Sequence, residues 1–336
     1  MINKKKGILY GIISGLAWGL YTVILYNILN LYAGSQGTVD HFHGWILIIT
    51  TALVIGLCDS VFGLIFECCY LIKIGEFKAY VRTLFSKHSL GIIPAAIFSG
   101  LVAAVPYSIA SSYSTSVAGT ISAAFPAIGA IVAAFWFKEK LTKLKFAGIV
   151  LCIVGTGILY GLSGAGVPMF VYLIAFITAV GYALEGCFGY NLMRADISPT
   201  VTTTLRRTFL LLLYLILIII IATTTHNFGY VFDLMQSFDF NTTIPFLAGF
   251  SGMKALIWIV LFIGSCFGCI SYITWYYCMH YTGVATGQVL NITYGIWIVI
   301  LLSFPPFHHP PSMGTLLGAL VLFSGAALVS KESLNG

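Results

Sequence analysis

The chain consists of long runs of apolar residues separated by short polar stretches. A helix needs about 20 apolar residues to cross a bilayer, and ten of the runs come close to that length. We therefore predict an all-α polytopic membrane protein with ten transmembrane helices. Numbered from the N-terminus as segments 1 to 10, the runs lie at residues 7–29, 46–71, 91–111, 117–137, 146–162, 167–193, 201–222, 256–279, 284–304 and 313–329.

The composition agrees with this prediction, because 59% of the residues are hydrophobic and only 8% are charged, against about 25% charged in soluble globular domains. The formal net charge of +6 is compatible with nucleic-acid binding, but the basic residues form short clusters between the apolar segments. Membrane topology explains such clusters better. No nucleic-acid partner is therefore expected.

The distribution of Lys and Arg among the loops predicts the orientation of the chain. Ten spans put both termini on one side of the membrane, and thirteen of the 16 basic residues lie in loops on that side. The opposite loops contain only Lys254, and Arg206 and Arg207 lie inside segment 7. Because basic loops stay in the cytoplasm, we predict cytoplasmic termini in a multi-pass plasma-membrane protein, with residues 223–254 forming the longest outer connection.

Three pairs of similar stretches indicate an internal repeat, with offsets of 164, 167 and 170 residues. A repeat of five spans crosses the membrane an odd number of times, so the second copy enters from the opposite side. We predict two inverted five-helix repeats, residues 1–165 and 166–336, as in alternating-access carriers with a site near the midplane. The paired stretches are GLAWGLY at 15–21 with AVGYALE at 179–185, SVAGTIS at 116–122 with GVATGQV at 283–289, and FAGIVLCIVGTGIL at 146–159 with LLGALVLFSGAALV at 316–329.

Segment 6 carries one carboxylate, Glu185, deep in its interior. A charge at the bilayer centre costs about 2.5–3.5 kcal/mol on insertion scales, so it normally faces a bundle interior or a water-filled cavity. Tyr182 lies one turn before Glu185, on nearly the same helical face. Glu185 is therefore the first candidate for a functional residue.

Aromatic and amide side chains recur at mid-depth in segments 1, 6, 8 and 9. A quaternary ammonium group has no N–H to donate, and the negative faces of aromatic rings attract it by about 0.5–2 kcal/mol each. Several rings and one carboxylate can offset the lost hydration of such a cation, and an amide can bind a hydroxyl group. The candidate substrate-binding residues around Glu185 are Trp18, Tyr21, Tyr182, Trp275, Gln288, Asn291, Tyr294 and Trp297.

Several of these residues have a purely structural alternative. Trp and Tyr also anchor helices at the membrane interface, and an amide such as Asn291 also bonds between helices. Asp59, in segment 2, is a second intramembrane acid that could line the site or the path to it. Glu67, nearer the cytoplasmic end of segment 2, is expected to extend to the cytoplasm.

Two further residues are candidates for a gate. Arg206 lies about eight residues into segment 7, where it either extends to the cytoplasm or pairs with Glu185; the pairing is favoured. Pro126 removes a backbone hydrogen bond in the middle of segment 4, so a bend is expected there.

No metal or cofactor is expected. All eight cysteines fall within apolar runs, where Cys behaves as a small hydrophobic residue. The spacing of the seven His residues matches no metal-binding template.

Three stretches carry a resemblance to a known family: GLAWGLY in segment 1, SVAGTISAAFPAIGAIVAAFWFKEKLT across segment 4, and ISYITWYYCMHYTGVATGQVLNITYGIW across segments 8 and 9. With them the chain resembles the drug/metabolite transporter superfamily, and within it the bacterial choline-uptake permeases. The resemblance implies a ten-helix inverted-repeat carrier that takes choline in a central cavity. The aromatic and acidic positions of that family would fall on Trp18, Tyr182, Glu185, Tyr294 and Trp297.

The sequence therefore predicts a secondary transporter that takes up choline or a similar small organic cation by alternating access in a bacterial cytoplasmic membrane, with a proton or another ion as a candidate coupled partner. The alternative is an exporter of amino acids or other small metabolites, the commoner role in that superfamily. No enzymatic activity is expected, because no HExxH, GxSxG or paired-acid motif is present.

Overall fold

The computed structural model describes residues 3–29, 31, 45–160, 167–226, 229–305, 307 and 311–335. The regular elements among these residues are helices, and nine of the helices are long and apolar enough to cross a membrane. The prediction of an all-helical, multi-pass membrane protein is confirmed. The predicted boundary between the repeats, at 165/166, falls in residues 161–166, outside the described part of the chain.

Segments 1 to 5 correspond to the first eight α-helices. Segment 1 is α1, which continues as a π-helix, and segment 3 consists of α4, a second π-helix and α5. The bounds are α1 Lys4–Thr22 with π-helix Val23–Ile28, α2 Trp45–Ile74, α3 Phe77–Leu84, a 3₁₀-helix Lys87–Ile92, α4 Ile93–Ile97 with π-helix Phe98–Ala104, α5 Val105–Tyr113, α6 Thr115–Ser122, α7 Phe125–Trp136 and α8 Lys143–Tyr160.

Segments 6 to 10 correspond to the remaining helices, and segments 6, 7, 8 and 10 are each one continuous helix. Two short helices, α11 and α12, interrupt the long connection between segments 7 and 8. The bounds are α9 Met169–Met193, α10 Pro199–Thr224, α11 Gly229–Gln236, α12 Pro245–Ala248, α13 Lys254–Thr282, α14 Val284–Asn291, α15 Tyr294–Ser303 and α16 Met313–Asn335.

Segments 4 and 9 are both broken near their middle. Segment 4 ends its first helix at Ser122 and resumes at Phe125, with Pro126 in the first turn of α7, where a proline is tolerated because its missing N–H has no partner to lose. The helix is thus interrupted next to Pro126, where the sequence predicts a bend. Segment 9 breaks between Asn291 and Tyr294, 169 residues after the break in segment 4.

The helices pack in pairs that correspond between the two halves of the chain. Segment 1 packs against segments 8 and 9, while segment 6 packs against segments 3 and 4. Segment 2 packs against segment 7, segment 4 against segment 9, and segment 5 against segment 10. If each segment is replaced by the one five positions away, the contacts of segment 1 with 8 and 9 become those of segment 6 with 3 and 4. The other three pairs map onto themselves, so this set of contacts is unchanged.

The connection between α10 and α13 folds over one end of the bundle. Its apolar residues Leu234, Phe238 and Phe240 belong to the same buried cluster as residues from segments 1, 2, 7 and 8. The backbone N–H of Asn241 donates to the Ile28 carbonyl at 2.7 Å, at the end of segment 1. This connection therefore covers the end of the bundle that we predict to face outward.

Close backbone approach joins segments 5 and 10. A Cβ atom placed on Gly155 would lie 2.3 Å from the Leu322 backbone nitrogen, and one placed on Gly318 would lie 2.5 Å from the Leu159 nitrogen. Small residues allow dispersion contacts between backbones, which drive helix association in lipid because no hydrophobic effect operates there.

We expect Gly155→Ala to force α8 and α16 apart and to lower the free energy of unfolding by about 1–3 kcal/mol. Gly157→Ala is the matched control on the same helix, because its new methyl group would meet Thr120 Cγ2 at 3.4 Å, an ordinary contact. Thermal unfolding of both variants in detergent measures the difference. Equal stability of the two variants would contradict the close packing of segments 5 and 10.

Candidate functional site

A cavity of about 100 Å³ lies between segments 1, 2, 3, 6, 7 and 8. It has room for several water molecules, because one water needs about 10–15 Å³ of such a volume. Tyr182 lies near the middle of α9, and Gly268 lies near the middle of α13, so the cavity reaches the centre of the bundle. Its aromatic wall consists of Trp18, Tyr21, Tyr182, Tyr214 and Tyr272.

The aromatic wall is organised around Trp18. The Trp18 ring lies 4.8 Å from the Tyr21 ring and meets the Tyr272 ring edge-on at 5.6 Å between centroids. Gly268 faces Tyr21 across the helix interface, and a Cβ atom there would lie 3.0 Å from the Tyr21 ring. The absence of a side chain at Gly268 thus allows segments 1 and 8 to bring these rings together.

The polar wall of the cavity carries charges of both signs. Asp59 comes from segment 2, and Arg206 and Arg207 come from segment 7. Hydroxyl groups from segments 2 and 3 complete the polar wall: Ser60, Ser99 and Ser108.

Arg207 connects two carboxylates of segment 2. Its Nη1 lies 3.0 Å from Asp59 Oδ2 and its Nε lies 3.0 Å from Glu67 Oε1. Glu67 and Arg207 are fully buried, whereas Asp59 retains 18% exposure of its side chain. Gly63 lies between the two acids, and a Cβ atom there would be 2.3 Å from Arg207 Nη1. The guanidinium therefore occupies the space that any other residue at position 63 would fill.

Arg206 pairs with Glu185, the alternative that the sequence favoured. Its Nη1 lies 3.0 Å from Glu185 Oε1 and donates a 2.8 Å hydrogen bond to Ser99 Oγ. The guanidinium carbon also lies 3.8 Å from the centroid of the Tyr272 ring, a cation–π contact. Arg206 and Glu185 are both fully buried. Arg206 lines the cavity, and Glu185 lies behind it.

The five charged groups of this cluster, four of them buried and Asp59 partly exposed, do not balance in formal charge. Asp59, Glu67 and Glu185 contribute three formal negative charges, and Arg206 and Arg207 contribute two positive charges. In the cluster, as far as the structure describes it, Asp59 Oδ1, Glu67 Oε2, both Glu185 oxygens and Arg206 Nε make no hydrogen bond, although Glu185 Oε1 forms the ion pair with Arg206. A buried acid without a partner either binds a proton or favours a neighbouring positive charge, so this cluster can accept one additional positive charge.

Five of the predicted site residues line the cavity together: Trp18, Tyr21, Asp59, Tyr182 and Arg206. Glu185 contacts the site through Arg206. Tyr294 lies next to this group, with its ring 6.5 Å from that of Trp18.

Other predicted site residues have structural contacts instead. Gln288 Nε2 donates to the Ala183 carbonyl at 3.0 Å, and Asn291 Nδ2 donates to Ser14 Oγ at 2.9 Å. Trp297 packs against Gly19, and Trp275 is buried beside Tyr272 and Tyr276. None of the four is among the residues that line the described cavity.

Two members of the charged cluster, Arg207 and Glu67, were not predicted as site residues. The expectation that Glu67 extends to the cytoplasm is wrong, because its side chain is fully buried against Arg207. The available signal was the number of intramembrane charges: two adjacent arginines in segment 7 need acidic partners. Segment 2 offers two acids eight residues apart.

In the described part of the chain, no group of three or more His, Cys, Asp or Glu side chains is arranged to hold a metal ion.

The nine apolar helices and the buried polar cavity define an all-helical, multi-pass membrane protein. A solved crystal structure of another protein is similar over 98% of both chains, with a TM-score of 0.65 at 18% sequence identity. At that identity the likeness concerns the fold alone. No family model and no curated protein matches the sequence.

Proposed function

We propose that the chain is a ten-helix carrier built from two inverted five-helix repeats. The exchangeable packing pairs and the matching breaks in segments 4 and 9 support this architecture. One span is proposed in addition to the nine long apolar helices. It is segment 5, helix α8, Lys143–Tyr160, which has 18 residues and packs closely against α16. With ten spans, the basic loops place both termini in the cytoplasm.

The substrate that we propose is choline or a similar small organic cation, taken up across a bacterial cytoplasmic membrane. The observation that carries this proposal is an aromatic cavity bordered by a charge cluster with one excess carboxylate. The Arg206 guanidinium covers the Tyr272 ring, and the other aromatic residues that line the cavity are Trp18, Tyr21, Tyr182 and Tyr214. Asp59 supplies the nearest negative charge.

The position of the cavity supports transport by alternating access. It lies between segments 2 and 7, which correspond in the two repeats, and residues of both halves line it. Rocking one repeat against the other would expose the same residues first to one side and then to the other. The resemblance to the drug/metabolite transporter superfamily is consistent with this mechanism.

A second candidate function is the export of amino acids or other small metabolites. The two guanidinium groups on the cavity wall favour it, because Arg binds carboxylates through paired N–H groups. In the present arrangement each guanidinium is already paired with an acid of the protein. The organic cation therefore remains the better supported substrate.

Uptake of labelled choline into proteoliposomes tests the proposed function. We expect saturable uptake that other quaternary amines inhibit and that neutral amino acids leave unchanged. Inhibition by amino acids and not by quaternary amines would support the exporter instead. Liposomes without protein and liposomes with Trp18→Ala protein are the controls, and the variant is expected to lose about 0.5–2 kcal/mol of substrate binding.

A further inference from the structure

We propose that α3 and its flanking turns form a docking surface for anionic lipid headgroups, on the side of the membrane where segment 2 ends and segment 3 begins. This role is separate from the substrate of the carrier and does not depend on it. The surface, called here the α3 platform, comprises residues 73–87.

The chain reaches the α3 platform through a sharp turn. Segment 2 ends at Ile74, and Gly75 adopts a φ of +77°, a left-handed conformation that only glycine adopts at little cost. The N–H of Glu76 then donates to the Leu71 carbonyl at 2.9 Å, which closes the helix end. The turn directs α3 away from the path of segment 2, so α3 is an eight-residue helix of its own.

The inner face of α3 is attached to segment 7. Tyr80 is buried, and its hydroxyl lies 2.9 Å from Thr208 Oγ1. The Ser198 hydroxyl, which also caps α10, donates to the Glu76 carboxylate. Thr208 directly follows Arg207, so the position of α3 is linked to the segment that carries the charged cluster.

The outer faces of α3 are apolar and basic. Phe77, Val81 and Phe85 follow one another at intervals of four residues and are exposed, Phe85 by 84%. Lys78 and Arg82 occupy the adjacent face with the same spacing and are also exposed. This combination is typical of helices that lie in the membrane interface.

The positive charge of the α3 platform favours lipids with anionic headgroups. Lys73, Lys78, Arg82 and Lys87 are all exposed, and Glu76 is the one acid in residues 73–87. Basic residues next to a membrane span attract anionic headgroups over roughly one Debye length. With Phe77, Val81 and Phe85 at the acyl boundary, the basic side chains reach the phosphate layer.

Thermal unfolding of the full chain in nanodiscs tests this proposal without any substrate. One set of discs contains phosphatidylcholine only, and in the other a quarter of the lipid is phosphatidylglycerol. We expect phosphatidylglycerol to raise the unfolding temperature of the unmodified protein by several degrees, and high salt to remove most of the increase because it screens exposed charges.

The double variant Lys78→Gln/Arg82→Gln is expected to lose more than half of the increase due to phosphatidylglycerol while keeping its unfolding temperature in phosphatidylcholine. The matched control is Lys140→Gln/Lys143→Gln, which removes two exposed charges from the loop between segments 4 and 5. An equal loss in this control would overturn the assignment to the α3 platform. So would an unmodified protein that unfolds at the same temperature in both kinds of disc.

Discussion

Arg207→Gln lowers the free energy of unfolding by about 3–5 kcal/mol, the usual effect of removing one partner from a buried ion pair. The substitution leaves Asp59 and Glu67 without their common cation, and Glu67 is fully buried. Three acids would then share Arg206 alone, so the excess negative charge of the cluster rises from one to two. Thermal unfolding in detergent measures the loss.

Glu67→Gln is the control for this prediction. It removes the excess negative charge, and the amide oxygen can still accept a hydrogen bond from Arg207 Nε. The expected change is therefore below about 1.5 kcal/mol, the scale of one hydrogen bond. If Glu67→Gln destabilises the protein as much as Arg207→Gln does, the excess negative charge has no bearing on stability.

We expect Glu185→Gln to weaken the proposed choline binding by about 30-fold or more, which corresponds to about 2 kcal/mol or more for a truncated charge pair. Glu185 neutralises Arg206 at 3.0 Å. Without it, the guanidinium on the cavity wall presents an uncompensated positive charge to a positive substrate. Choline-induced thermal stabilisation, titrated for both proteins, gives the two affinities.

Glu332→Gln, near the end of α16 and outside the cavity lining, serves as the control and is expected to bind choline normally. An amino acid with a free carboxylate responds differently, because the released Arg206 attracts it. Unchanged choline affinity in Glu185→Gln would remove this acid from the recognition of the cation. A gain in amino-acid affinity together with unchanged choline affinity would favour the exporter.

The apolar segments could be predicted from the sequence because bilayer thickness requires uninterrupted hydrophobic runs. Pro126 also marked the break in segment 4. The break in segment 9 contains no proline; there the Thr293 hydroxyl donates to the Leu290 carbonyl at 2.6 Å, and the sequence carries no local signal for it. The covering of the bundle end by residues 229–253 likewise depends on long-range contacts.

The site could be predicted only in part. Glu185 was identifiable because a charged group in the middle of a span is costly and usually functional. Trp18 was identifiable because it lies at mid-depth, away from the interface where Trp usually anchors a helix. The pairing of Arg207 with Asp59 and Glu67 joins residues 148 and 140 positions apart, which no helical periodicity relates. Gln288 was assigned to the substrate, but it packs against Gly129 and bonds the Ala183 carbonyl, since small residues in neighbouring helices leave room for its amide.

The central claim is that the cavity recognises positive charge, and comparison of choline with 3,3-dimethyl-1-butanol tests it most directly. In this uncharged compound a carbon atom replaces the nitrogen and the shape is retained. Calorimetric titration of the purified protein should give an affinity for choline that is at least about 10-fold higher than that for 3,3-dimethyl-1-butanol. The reason is that aromatic ring faces and a carboxylate attract the charged compound and not the neutral one. Equal affinities for the two compounds, or binding of neither, would contradict the account.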